Sequence, residues 1–245
     1  MGSELVSIIV LAFDNFNHLF RSVETLYHNN EYPNFEMIVV HNPSGIGADE
    51  KIEEASMVWK KNWSNFKYIK NEKNLYHGKG SMEGVKIADS DSTYICFCND
   101  DVFIPASQSD WLLKMVDFMN NNQEVATLTP SLYSAKERIY WVGKTNPEDP
   151  YHDLLHTPRG DPSIPKEPRD TCYNNFSVCL VRKFLVDEIP LGQNCPHYGS
   201  DSEFCNRIKE KYPDMKHMVL PEVRLYHYNI FSSRCNYGKN KETEG

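Results

Sequence analysis

The stretch that most limits what this chain can become is Tyr94-Ile95-Cys96-Phe97-Cys98-Asn99-Asp100-Asp101-Val102-Phe103-Ile104-Pro105. It opens as a run of apolar and β-favouring residues, the pattern of a strand buried on both faces. It then stops in an amide and two carboxylates. Open α/β sheets bind ligands beyond the carboxyl ends of their strands, so acids delivered there face a crevice. Adjacent carboxylates repel each other unless a cation or hydrogen-bond donors offset the charge. Oxygen ligands of this kind suit a hard divalent ion, Mg²⁺ or Mn²⁺, which also holds substrate phosphates. A polar turn capping the next helix uses the same residues, and this stretch alone does not separate the two readings.

The flanking chain supplies the rest of such a sheet. Val6 to Ala12 is an expected buried strand, followed by a helix with Leu19, Val23 and Leu26 on its inner face, widened by Phe16 and Phe20. Phe35 to Val40 is a second strand, Asp49 to about Lys61 a second helix, and Phe66 to Ile69 a third strand. This alternation is the signature of a mostly parallel sheet with right-handed crossovers. Ser81 to Ala88 is an expected helix before the central strand, and Trp111 to Met119 one after it, with Asp110 as its N-cap. Val125 to Leu132, Ile139 to Val142 and Phe176 to Val181 are expected strands, Arg182 to Glu188 a short helix, and Gly199 to about Lys211 a longer one. Met218 to Leu220 and Val223 to Tyr226 read as two extended segments. Between the Ile139–Val142 and Phe176–Val181 strands, residues 144–170 carry six prolines and few apolar residues, a long loop of the kind that serves function.

The totals exclude several classes. With a formal net charge of −8 and no basic run, a broad nucleic-acid surface is disfavoured. No apolar segment approaches the ~20 residues of a membrane span, and Met1-Gly2-Ser3-Glu4 lacks a signal-peptide pattern. Seven scattered cysteines without Cys-x-x-Cys spacing disfavour a zinc knuckle and a disulfide framework. The expectation is a cytoplasmic α/β protein of unspecified oligomeric state, compatible with peripheral membrane association. No Gly-x-Gly-x-x-Gly follows a strand, which disfavours a dinucleotide oxidoreductase. Leu11 to Asn17 contains no glycine, which disfavours a sugar-nucleotide pyrophosphorylase.

Taken together, the segments resemble family 2 glycosyltransferases, inverting nucleotide-sugar-dependent enzymes of the GT-A fold. Val6-Ser7-Ile8-Ile9-Val10 with Phe13-Asp14 is similar to the family's first strand and following turn. Asn71-Glu72-Lys73-Asn74-Leu75 with Gly78 and Gly84 is similar to the polar segment before the donor site. Asn99-Asp100-Asp101 resembles the Asn-x-Asp form of the Asp-x-Asp motif found among rhamnosyltransferase-like members. Ser200-Asp201-Ser202-Glu203-Phe204-Cys205-Asn206-Arg207 resembles the late Glu-Asp-x-Asp-x-x-x-Arg segment, and His227 with Ser232 and Ser233 the C-terminal His. The chain departs from the pattern at Asn99 and Ser200, where carboxylates are usual, and at His41-Asn42-Pro43-Ser44, where Asp-Asp-x-Ser is usual.

The resemblance implies one GT-A domain over 1–245, with a nucleotide-sugar half (5–105) and an acceptor half (106–235). It implies a metal-dependent inverting transferase moving a sugar from a UDP, dTDP or GDP donor to a hydroxyl of a glycan or other acceptor. Asp101 and His227 would hold Mn²⁺ or Mg²⁺, and Asp201 would be the general base. Phe13, Asp14, Asn42, Asn74, Lys79, Asn99 and Asp100 would bind the nucleotide sugar. Trp141, Tyr151, His152 and His156 would wall the acceptor. A bland role stands beside each: a turn for Asp100 and Asp101, a satisfied buried His227, a helix-terminal carboxylate for Asp201, and a Glu203–Arg207 helix pair. The alternative function is a non-catalytic carbohydrate- or nucleotide-binding protein on the same scaffold.

Overall fold

The computed structural model describes residues 4–148, 152–195 and 199–228. Its centre is a ten-stranded sheet. The first half follows the expected alternation: β1 (Leu5–Ala12), α1 (Phe16–His28), β2 (Phe35–His41), α2 (Ala48–Asn62), β3 (Phe66–Lys70), α3 (Tyr76–Ile87) and β4 (Ser92–Asn99). A two-residue β5 (Val102–Phe103) and α4 (Trp111–Asn121) lead to β6 (Val125–Tyr133) and β7 (Ile139–Trp141). Then come β8 (Arg169–Thr171), β9 (Val178–Arg182), α5 (Lys183–Glu188), α6 (Ser200–Lys211) and β10 (Lys216–His227). The spatial order is β3-β2-β1-β4-β9-β6-β10-β5, with β7 on β6 and β8 on β10. β3, β2, β1 and β4 are mutually parallel, β10 is parallel to β6, and β9 runs antiparallel between β4 and β6.

Alternate residues of the central strands feed two cores, as expected for strands covered on both faces. Ile8, Val10, Cys96 and Cys98 pack with Leu19 of α1, Trp59 of α2 and Trp111 of α4. Ile9, Ile95 and Phe97 pack with Val85 of α3, Leu185 of α5 and Phe204 of α6. Cys96 and Cys98 are the buried core thiols that their apolar neighbours suggest.

The structure corrects four details. α3 starts at Tyr76, five residues earlier than its apolar pattern suggests, because Gly78 and Gly80 conceal the helix. Those glycines serve contact: a Cβ on Gly84 would stand 2.6 Å from Ile9 Cγ2, and one on Gly80 would meet the Asn42 amide at 2.8 Å. Asp110 occupies the N-cap position of α4 without capping it, and pairs instead with Lys114 at 2.8 Å. The two extended segments near the end form one strand, β10, whose register on β6 shifts between Leu220 and Arg224, where Pro221 interrupts pairing. The proline-rich loop, expected over 144–170, gives way to β8 at Arg169, and side chains fasten it. Asp153 accepts from Thr145 and from Arg169 (2.6 Å), and Arg159 donates to Glu137 and Tyr226.

Candidate active site

The crevice lies where the chain reverses its direction of travel across the sheet. From β1 it passes to β2 on one side and later returns to β4 on the other, so the turns after β1 and β4 flank a topological switch point. They touch directly: the Phe13 N–H donates to Asp100 Oδ2 at 3.2 Å. Phe13 and Asp14 are half-buried at this edge, where Asn15 caps α1 by accepting from the His18 N–H. Withdrawal from water, and then the Asp101 charge, push the Asp100 carboxyl up to about 8, although the Phe13 hydrogen bond works against the shift. Two acids in this position demand a positive counter-charge.

Asp101 faces His227, from the last residue of β10, with Nε2 3.0 Å from Oδ1. The His227 imidazole is nearly fully buried, and the Tyr140 ring lies against it, centroids 4.3 Å apart. Asn99 closes the cluster: its amide nitrogen lies 3.4 Å from His227 Nε2 and donates to Ser177 Oγ at 3.1 Å. Among the described residues no three His, Cys, Asp or Glu side chains form a ready metal cage. Mg²⁺-type ions need none, since they bind through one or two carboxylates plus substrate phosphates and water. Two ligands about 2.1 Å from an octahedral ion and at right angles stand about 3 Å apart, the spacing the Asp101–His227 pair already has. Ser232 and Ser233 lie outside the described residues.

Asp201 enters from the other side as the second residue of α6, which follows Gly199 in a left-handed conformation (φ 81°). One of its oxygens accepts the Ser202 N–H at 2.8 Å. Its charge acts on His77, Tyr140, His152 and Tyr173. Trp141, Tyr173 and His152 are in ring contact, and the Lys144 ammonium lies 5.9 Å from the Tyr173 ring. Tyr151 lies outside the described residues. His156 is held by the loop itself, its N–H donating to the Ile139 carbonyl.

Not every expected ligand converges. Asn42 is buried with its side chain fully engaged: Oδ1 accepts from Asn71 (2.8 Å) and the Leu75 N–H (3.3 Å), and Nδ2 donates to the Tyr76 carbonyl (3.2 Å). It is a clamp between β2 and α3 and offers no free acceptor to a base. Asn74 accepts the Tyr76 N–H at 2.8 Å and shapes the entry to α3, while Lys79 is exposed on the helix's first turn. The departure at His41 has its own compensation. Buried His41 bonds Tyr68 and Asp49, and Asp49 accepts from the Ser44 and Gly45 amides, restoring a carboxylate to the loop after β2. Burial works to raise that carboxyl, but these bonds outweigh it and hold Asp49 at about 2. His77, Tyr140 and Ser177 were not legible as site residues. His77 sat in a segment without a helical signal, and the other two are single residues whose side chains only the sheet pairing brings to the crevice.

The profile of the family described as "Glycosyl transferase family 2" matches residues 7–188. The chain belongs to this family. A relative in Methanocaldococcus jannaschii, named as an uncharacterized glycosyltransferase, is 27% identical over 150 residues, covering 60% of this chain and 48% of its own length. Solved structures share the architecture. A mannosyltransferase from Pyrobaculum calidifontis, in complex with GDP-Man and Mn²⁺, superposes with a TM-score of 0.65 at 12% identity, covering 93% of this chain and 58% of that one. S. aureus TarS (1–349) with UDP-GlcNAc gives 0.63 at 15% identity, covering 93% and 59%. GalNAc-T7 with UDP, GalNAc and Mn²⁺ gives 0.67 at 16% identity, covering 91% and 44%. The fold is therefore the GT-A glycosyltransferase fold, and the family 2 chain spans only about half the length of these relatives. Among the described residues no helix is long and apolar enough to cross a membrane.

Proposed function

We propose that the chain is a metal-dependent inverting glycosyltransferase that moves a sugar from a nucleotide-diphosphate donor to a hydroxyl acceptor. The observation that carries this reading is convergence at one sheet edge. The Asp101–His227 pair and Asp201 come from the turn after β4, the end of β10 and the start of α6, far apart in sequence, yet both carboxylates act on Tyr140, whose ring lies against His227. Asp101 and His227 would hold Mn²⁺ or Mg²⁺, and the ion would offset charge on the departing diphosphate. Asp100, recessed beside Phe13 and held up to about 8 while no counter-charge is present, would give up its proton as the cation binds. Phe13 and Asp14 would face the nucleotide at the switch point.

Inversion needs a base on the face of the sugar opposite the leaving group. Asp201 takes that role, with one oxygen fixed by its helix and the other free to receive the acceptor proton. His152 and Tyr173 would form the acceptor wall beside it, while Trp141, expected in that wall, is fully buried and only backs the two rings. In this reading residues 5–105 form the donor half and 106–235 the acceptor half of one domain.

The first test is thermal shift with UDP, dTDP, GDP and their sugars, with and without Mn²⁺. A ligand at ~100 times its Kd stabilises the native state by roughly 2.7 kcal/mol. A Mn²⁺-dependent shift that Asp101→Asn removes supports the donor site. Asp201→Asn should keep that shift and lose transfer on the order of 10²–10⁴-fold. A folded protein silent to the whole panel supports the non-catalytic scaffold instead.

A further inference from the structure

The two uncharged positions in the family's acidic motifs, Asn99 and Ser200, meet at one side chain. His77 Nδ1 lies 2.9 Å from Ser200 Oγ, and the Asn99 side chain lies near enough to act on the same imidazole. Asn99 commits its amide nitrogen to Ser177, which leaves its oxygen for the ring. A neutral imidazole satisfies both neighbours at once, donating from one nitrogen to the amide oxygen and accepting the serine hydroxyl at the other. Polar side chains thus lie along a path from Asp101 and His227 past Asn99 to His77 and Ser200, the residue before Asp201.

Three features hold the ring there. Tyr76, immediately before it, adopts a left-handed φ of 61°, a conformation that a tyrosine keeps only under constraint. Gly78, immediately after it, packs so closely that a Cβ would stand 2.5 Å from Gly192 Cα and 3.3 Å from Ser200 Cβ. The His77 carbonyl is fixed by the Ser81 hydroxyl at 2.8 Å.

We propose that His77 is a positioning residue for glycosyl transfer, tying the start of α6, which carries Asp201, to the strand end that carries Asn99, Asp100 and Asp101. The proposal rests on Asp201 as the base, and it extends that reading by naming what sets the distance between base and donor. Because the tie is made by a hydroxyl, an imidazole and an amide, it adds no carboxylate to a crevice already crowded with them.

The test uses the full chain with Mn²⁺ and UDP-, dTDP- and GDP-sugars, measuring kcat for release of nucleoside diphosphate, donor KM and donor-induced thermal shift. His77→Ala should lower kcat on the order of 10²-fold, the effect of a small misplacement of a reacting group, while donor KM and the thermal shift stay near wild type. Ser200→Ala should do the same, and the double variant should fall no further than the worse single, because both remove one contact. His77→Gln, which keeps a donor and an acceptor, should recover part of the loss and carries the test if His77→Ala fails to fold. Wild-type kcat in His77→Ala, with Asp201→Asn inactive, overturns the positioning role alone. Losses that multiply in the double variant overturn the shared contact. Activity in Asp201→Asn overturns the base assignment beneath it.

Discussion

At the scale of single residues, the buried polar groups divide into those that serve the crevice and those that serve the fold, and each kind has its own test. His217 belongs to the fold. It is 1% exposed, its Nε2–H donates to the Cys205 carbonyl, and its Nδ1 accepts from Thr127. Burial pulls its pKa down to about 4, against ~6.5 in an unfolded chain. As pH falls from ~6.5 toward 4, the unfolded state takes up a proton that the native state refuses. Native stability at this residue is therefore complete above ~6.5 and declines by up to roughly 3 kcal/mol on the way down. His217→Gln cannot titrate, so its Tm should fall less steeply than wild type over that interval, and parallel Tm–pH curves would refute the account. Asn42 is the second case. Asn42→Asp restores the carboxylate usual in the family, yet here it removes the donor to the Tyr76 carbonyl and sets charge beside it. A loss of about 1–3 kcal/mol in stability is expected, with no gain in nucleotide affinity by thermal shift. Tighter UDP binding in that variant would show that Asn42 does face the base.

Among the elements, the strands were the most legible part of the chain and the glycine-bearing helix the least. Continuous apolar runs made β1, β2 and β4 readable because burial on both faces demands such runs, and the acids after β4 were readable because nothing else in a buried strand explains them. The start of α3 was hidden because Gly78 and Gly80 there serve close approach rather than apolar area, while the helix from Ser81 on was readable. His77 was hidden with it. The antiparallel insertion of β9 between β4 and β6 was also beyond reach, since a five-residue buried run does not state its direction. That insertion is secured by Arg182 at the end of β9. Its guanidinium donates to the carbonyls of Met119, Asn122 and Val125, closing the C-terminus of α4, and stacks over Tyr94. Arg182→Met keeps the aliphatic stem and leaves three carbonyls without that donor, so a loss of about 2–4 kcal/mol in urea unfolding is expected. An unchanged midpoint would mean that water replaces the guanidinium there.

For the molecule as a whole, the question is whether the donor and acceptor halves are one cooperative unit. The proposed site requires it, because the proposal draws Asp101 from residues 5–105 and His227 and Asp201 from residues 106–235. The sheet provides it: β4 pairs with β9 over five residues, β9 with β6, and β6 with β10, so no seam divides the two halves. A buried amide reinforces the far side. The Asn174 side chain donates to the Thr127 carbonyl and hydroxyl and to the Met218 carbonyl, and accepts from Thr129, stitching β6 to β10. Asn174→Ala removes every one of these bonds at a site with no exposure, and should destabilise the protein by roughly 2–4 kcal/mol. At this chain length that lowers Tm by about 2–4 °C per kcal/mol. The four tryptophans report on both halves, Trp59 and Trp63 in the first, Trp111 and Trp141 in the second. With single-tryptophan variants, Asn174→Ala should shift the transition seen by all four reporters to the same lower midpoint, because loss of the β6–β10 tie then propagates through one sheet. If Trp111 and Trp141 report a lowered midpoint while Trp59 and Trp63 keep the original one, the halves unfold separately. The metal pair and the base would then be held together by ligand rather than by the fold.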